Sequence, residues 1–493
     1  MTDERHPMTV RTAAALLALA VAPLRAQSPV DDSIVGKWYG VAGLPQDRVE
    51  LGFEFRRNAK GDIKAYLYNP VANFYGLELP GTVQRDSGRF VNNEPFPSLS
   101  FVFTNGRLEG TYFPTKLPIS LGRVASLPAE VPVPAFPAGR GPKWQVKLGG
   151  AIYATAAARG GIAYVGTTAG VFYAVSLADG TVAWAFPAGR PMFGEPLATE
   201  DAVFFACDNG KLYKLERNTG KELWSYDLGD AGATRILPHA VISDFDFDYR
   251  SPRPVLAGGI LYIGAGDGSF HAVNAAHGRR EWRFQTGDRI RANAVIDGPR
   301  VIFGSWDHFV YAIDRGTGEK LWQKDTRARV TSSPAIVGTA LITGNRGGVL
   351  QALNPLTGET KWRMLFWGSS VESEAVPAAG RFYIGSSDLR RVSYIDADDG
   401  RVIWRTDVYG WAWGTPAVTD SLVIIGAAGA SPYQMRHLGS LVALDRASGK
   451  IAWRWPMAEW PGSFLNGFVA SPTIANGSVI IGGLDGTLYS FAP

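Results

Sequence analysis

The chain has 493 residues, 46% of them hydrophobic and 19% charged, with a formal net charge of +4. That much apolar side chain excludes a disordered or coiled-coil protein, and the scattered acids and bases give no concentrated field for nucleic acid or anionic lipid. Glycine makes up 58 residues, about 12% against a usual share of roughly 7%. With 15 Trp, 18 Tyr and 25 Phe, this points to many short strands and frequent turns, because aromatic rings fit pleated surfaces and Gly supplies the turns.

In chain order, Arg5 and Arg11 precede an apolar run over 12–23, and Leu24-Arg25-Ala26 places a small residue before Gln27. Residues 1–26 therefore read as a cleavable secretory signal peptide. The run is shorter than the roughly 20 residues that a membrane-spanning helix needs, and no later stretch is long and apolar enough. Cys207 is the single cysteine, so no lipid-anchor Cys follows the signal and no intramolecular disulfide can form. The mature protein is expected to be soluble and periplasmic or secreted, with Cys207 a small buried apolar residue.

Residues 33–125 open with Gly36-Lys37-Trp38 and continue with Leu51, Phe53 and Phe55 alternating with polar neighbours. Asn105-Gly106 between two strand-like runs is a hairpin signal. This stretch is predicted to be a small antiparallel β-barrel. Its Gly-x-Trp opening resembles lipocalin-like modules of exported bacterial proteins, which implies room for one small apolar ligand. At about 90 residues the interior has little to spare, so a filled accessory module is expected. The Pro-rich stretch within 126–142 reads as a stiff linker.

From 143 to 493 the sequence repeats. A Gly is followed four residues later by Trp at Gly180/Trp184, Gly220/Trp224, Gly278/Trp282, Gly318/Trp322, Gly358/Trp362, Gly400/Trp404 and Gly449/Trp453, with steps of 40, 58, 40, 40, 42 and 49. A period near 40 with strand-type residues is the mark of propeller blades. A second marker, an apolar run ending in Gly or Ala, occurs at Gly166, Ala206, Gly264, Gly304, Gly344, Gly385, Gly426 and Gly482, which makes eight units. The eighth lacks a Trp strand, and Trp144 to Leu148 stands alone before the first. The prediction is an all-β chain: a small barrel, then an eight-bladed β-propeller of four-stranded blades, closed by the N-terminal strand. In one unit the strands are predicted over 333–337, 340–344, 349–354 and 359–362. The eight Trp residues read as packing between blades.

Units such as Val310-Tyr311-Ala312-Ile313-Asp314-Arg315-Gly316-Thr317-Gly318-Glu319-Lys320-Leu321-Trp322 resemble the pyrroloquinoline-quinone-type (PQQ-like) β-propeller repeat. That family includes quinoprotein alcohol dehydrogenases and cofactor-free scaffolds such as the propeller lipoprotein of the outer-membrane barrel-assembly machinery.

Ligands on propellers bind at the central channel. Counting back eleven residues from each second marker gives a ring of Thr155, Glu195, Arg253, Asn293, Ser333, Glu374, Thr415 and Ser471. Two residues earlier lie Tyr153, Phe193, Ser251, Arg291, Thr331, Glu372, Trp413 and Val469, on the same strand face. This polar and aromatic funnel admits two readings: a pocket lined by Glu195, Arg253, Asn293, Ser333, Glu374 and Trp413, or a solvated mouth satisfied by Glu/Arg pairing.

In the quinoproteins, the resemblance implies, a Glu, an Asn and an Asp hold Ca²⁺, and a vicinal disulfide and a Trp sandwich the quinone. Glu195 and Asn293 match the first two ligands, but Ser333 stands at the third and Cys207 has no partner, while Trp413 or Trp411 offers a stacking face. PQQ and Ca²⁺ are thus disfavoured, and no cofactor is expected. The longest insertion, about 229–251, carries His239 and Asp244, Asp246 and Asp248 alternating with aromatics, a second candidate Ca²⁺ cluster that equally reads as a solvated hairpin face. A blade 7 insertion spans 427–439. The loop over 457–468 carries Trp460, Phe464 and Phe468, read as an exposed rim for a partner. No hydrolase triad, zinc spacing or phosphate loop is present. The leading function is envelope binding or scaffolding without catalysis, with envelope proteins or a small funnel ligand as partners. The alternative is a periplasmic PQQ-dependent alcohol or sugar dehydrogenase with an altered site.

Overall fold

The computed structural model describes residues 32–42, 49–70, 74–79, 81–84, 87–112, 117–232, 235–238, 247–366, 369–430, 437–459 and 464–493 apart from 91–98. The predicted signal peptide, His239, Asp244, Asp246 and Trp460 lie outside them. Among the described residues no helix is long and apolar enough to cross a membrane.

Alternation decides the N-terminal module. In Gly36–Ala42 and Val49–Arg57 the apolar positions coincide in register, Trp38 opposite Phe53 and Gly36 opposite Phe55, so one face is apolar. Nine antiparallel strands form one sheet whose terminal strands, Phe74–Leu79 and Gly81–Gln84, are two residues apart in sequence, so the sheet curls back on itself. Its interior is occupied by side chains: Trp38, Leu51, Phe53, Phe55, Phe101 and Leu121 are buried, and the Trp38 indole donates to Ile34 O at 2.8 Å. This apolar core is continuous with buried residues of blades 5 and 6, including Phe366 and Phe382.

Eight sheets follow, with innermost strands beginning at Ala157, Leu197, Val255, Val295, Ala335, Val376, Ala417 and Thr473 for blades 1 to 8. Blade 8 takes its outermost strand from Trp144–Lys147, which pairs with Thr487–Phe491, so the ring closes as the sequence implies. Strand limits differ from expectation at both ends of a blade. The innermost strand of blade 5 starts at Ala335, because Ser333 turns into the channel before pairing begins. The outermost, Thr360–Leu365, runs on past Trp362. In blade 7 the second strand extends to Gly429 and pairs with Asn466–Gly467 from the loop before blade 8. That pairing buries Phe468 completely, so this aromatic belongs to the core and not to an exposed rim.

The Gly/Trp marker is an inter-blade contact. The Trp282 ring lies where a Cβ on Gly318 would fall, and the same holds for Trp184 at Gly220, Trp322 at Gly358 and Trp404 at Gly449. These glycines have φ near +70 to +77°, a region that costs other residues about 1 kcal/mol or more. Seven of the indoles donate to a carbonyl of the next blade, for example Trp282 to Arg315 O at 3.0 Å and Trp362 to Ala397 O at 2.8 Å. Blade 8 has no such Gly in its own turn, and the linker supplies it. Gly139 lies against Trp453, its N–H donating to Arg454 O at 2.9 Å, while Arg454 N–H donates to Pro137 O. The C-terminal part of the linker is therefore built into the propeller, where the sequence suggested only a spacer.

Candidate functional site

The second marker also has a packing cause. A methyl group on Gly264, Gly304 or Gly482 would lie 2.1–2.2 Å from Ile290, Val330 or Ile152, the residue three before the next blade's ring position. This wedge fixes how each inner strand enters the channel. One blade pair breaks the rule: Ala206 replaces Gly, and Arg250 stands at the wedge position of blade 3.

All eight ring residues line one cavity of about 270 Å³ on the channel axis. Five of the eight side chains, those of Asn293, Ser333, Thr415, Ser471 and Thr155, accept a repeated hydrogen bond from the backbone N–H of the preceding ring residue, which stitches blade to blade. The pairs are Arg253 to Asn293 Oδ1 (2.9 Å), Asn293 to Ser333 Oγ (2.9 Å), Glu374 to Thr415 Oγ1 (3.2 Å), Thr415 to Ser471 Oγ (2.8 Å) and Ser471 to Thr155 Oγ1 (3.2 Å). Small oxygen-bearing side chains recur at the ring because buried backbone donors need acceptors.

The remaining three form a charge network. Arg253 Nη1 donates to Glu195 Oε2 at 3.1 Å and Nη2 lies 3.7 Å from Glu374 Oε1, while Asn293 Nδ2 donates to Glu374 Oε2 at 3.3 Å. Burial pushes the Glu195 carboxyl above its usual range, against the pull of Arg253. Both polar ends of Asn293 are thus engaged, and a guanidinium already stands between the carboxylates. The donor set does not fit Ca²⁺ or a Ca²⁺-bound quinone. Cys207 is buried at the side of blade 2, its thiol against Arg190 O, with burial raising it to about 11. Among the described residues no group of three His, Cys, Asp or Glu is placed to hold a metal.

Asp248, the described aspartate of the 244–248 cluster, neither lies on a solvated face nor is free to ligate a metal. Residues 247–250 reach across the channel mouth and plug it. Asp248, fully buried, accepts from Arg235 Nη1 (3.1 Å), Arg289 Nη1 (2.8 Å) and Arg291 Nη2 (2.8 Å). Burial acts to raise its carboxyl, and the three guanidiniums outweigh that and hold it below the usual range. Arg235 also pairs with Asp208 at 2.6 Å. Tyr249 stacks on Trp413 at 5.1 Å and donates to Glu372 Oε2 at 3.3 Å. Arg250 donates to Glu372 O and Trp413 O, and Arg346 Nε to Glu372 Oε1 at 3.0 Å. The second funnel ring is therefore the seat of the plug. Trp413 stands outside the cavity wall, between Tyr249 and Trp411, with its indole on Ser387 Oγ at 2.9 Å.

No motif or spacing marks Arg235, Arg346, Tyr249 or Asp208 as site residues. The one available signal was the double departure at Ala206 and Arg250, a charged residue in a wedge position. Phe464 packs at 6.4 Å from Trp411.

The family model described as outer membrane protein assembly factor BamB matches residues 135–242, 240–365 and 346–493. Outer membrane protein assembly factor BamB of Yersinia pestis is 32% identical over 118 residues, covering 24% of this chain and 27% of that protein, so the match spans about a quarter of the relative's length. Among solved structures, the computationally designed Ika8 protein has a TM-score of 0.57 at 16% identity, covering 72% of this chain and all of that one. Europium-containing methanol dehydrogenase has a TM-score of 0.55 at 13% identity, covering 71% and 93%. Identities this low speak to the fold alone.

Proposed function

The chain belongs to the family described as outer membrane protein assembly factor BamB, and from that premise we propose that it is an exported envelope protein whose propeller binds and positions protein partners without catalysis of its own. The observation that carries the second half is the state of the funnel. The carboxylate and amide that a quinoprotein reading would use, Glu195 and Asn293, are held by Arg253, and residues 247–250 close the mouth above them. Binding then falls to the outer surfaces, where Leu223 and Leu321 stand about half exposed on the outermost strands of blades 2 and 4. The N-terminal sheet, with its interior filled, serves as an accessory module of the same protein.

A photo-cross-linking residue placed at Leu223 or Leu321 in the exported protein tests this. Adducts to a component of the outer-membrane barrel-assembly machinery support the reading. Recovery of the protein in the cytoplasm, or quinone-dependent dye reduction with alcohols or sugars by the purified protein, overturns it.

A further inference from the structure

Glu195 of blade 2 and Glu374 of blade 6 face one channel, and two carboxylates in a confined site stay charged only with a cation between them, since otherwise one of them takes up a proton. From the contacts of both with one guanidinium, we infer that Arg253 is the resident counter-ion of the funnel, a covalently attached cation that takes the place a bound metal would need and so keeps this propeller metal-free. Arg253 reaches Glu195 on the neighbouring blade at 3.1 Å and Glu374 across the channel at 3.7 Å. Asn293 agrees with this assignment independently. Its carbonyl oxygen, the atom that would ligate a hard cation, is turned to the Arg253 backbone N–H, and its amide N–H donates to Glu374. The backbone bond survives any change of the Arg253 side chain.

Removing the guanidinium leaves two carboxylates and the hydroxyls of Ser333 and Thr155 around an enlarged cavity, a set of hard oxygens that suits Ca²⁺ or a lanthanide. The inference stands apart from the partner-binding reading, because its test uses the purified protein alone. Tb³⁺ is the probe, excited through the aromatic side chains Tyr153 and Tyr249 that line the cavity. Wild type should show no saturable sensitised emission. Arg253→Ala should gain it, with half-saturation on the order of 10⁻⁴ M or tighter, and the gain should vanish in Arg253→Ala/Glu195→Gln. Saturable emission in wild type that Glu195→Gln abolishes overturns the inference, as does a folded Arg253→Ala that gains nothing.

A second series covers the case in which Arg253→Ala does not fold. If Arg253 acts through charge, Arg253→Met should lower the melting temperature by about 2–4 °C, the size expected of two partly exposed ion pairs, and Arg253→Met/Glu195→Gln/Glu374→Gln should recover most of that loss. A triple variant no more stable than the single would mean that Arg253 acts by packing, and the inference falls.

Discussion

Asp248→Asn tests the plug most directly, since it keeps the volume and removes the charge. Asp248 is fully buried, and the side chains of Arg291, Arg235 and Arg289 are 2%, 10% and 32% exposed. Removing one partner of a buried ion pair costs about 3–5 kcal/mol, because the other charge is left uncompensated, whereas a partly exposed pair is worth about 1 kcal/mol or less. Arg235 keeps Asp208 at 2.6 Å and Arg289 keeps water, so the cost rests mainly on Arg291, about 4 kcal/mol in total. At roughly 2 °C per kcal/mol for a large domain, the melting temperature should fall by about 8 °C in a thermal scan. Loosening of the plug would also change the Trp413 emission, because Tyr249 leaves its ring. Arg291→Met added to Asp248→Asn should recover part of the loss. A single variant within about 2 °C of wild type would refute the account of Asp248 as the hub that seats the insertion.

Three further outcomes are expected. Gly318→Ala, at φ +77° with the Trp282 ring 2.7 Å from the new methyl, should cost clearly more than Gly338→Ala, at φ +59° in open space. The second is expected near 1 kcal/mol, and equal denaturation midpoints would remove the inter-blade role of the marker. Gly139→Val in the full chain, whose new Cβ would lie 2.9 Å from the Trp453 ring, should displace that indole and show a red-shifted emission and a lower midpoint, and an unchanged midpoint would remove the linker's packing role. His271 is buried with Tyr226 Oη at 3.0 Å from Nδ1, and burial lowers it from 6.5 to about 4. The unfolded chain therefore takes up a proton first, so this stability is complete above pH 6.5 and is lost as pH falls towards 4. That lowering corresponds to about 3 kcal/mol of stability. His271→Phe should flatten that part of the pH–stability profile, and an unchanged acid limb would contradict it.

The repeat, the eight blades, the closing strand and the ring positions were legible because they are periodic. A spacing near 40 recurs only if every unit meets the same neighbour, so Gly318/Trp322 and its counterparts report the fold directly. The ring at Thr155, Glu195, Arg253, Asn293, Ser333, Glu374, Thr415 and Ser471 converges on one cavity for the same reason. What aperiodic segments do could not be read in this way. Asp248 among alternating aromatics looks the same whether it meets a cation from solution or three guanidiniums, and Arg235, Arg289 and Arg291 reach it from positions 13, 41 and 43 residues away. Phe468 looked like a rim aromatic until the pairing of Asn466–Gly467 with blade 7 buried it. Gly139 in a Pro-rich stretch carried no sign that Trp453, more than 300 residues later, would need it. Local pattern determined the blades, because each strand's partners are its sequence neighbours. The plug, the linker's place on blade 7 and the cation of the funnel were decided only when ring closure brought distant charges and surfaces within bonding distance.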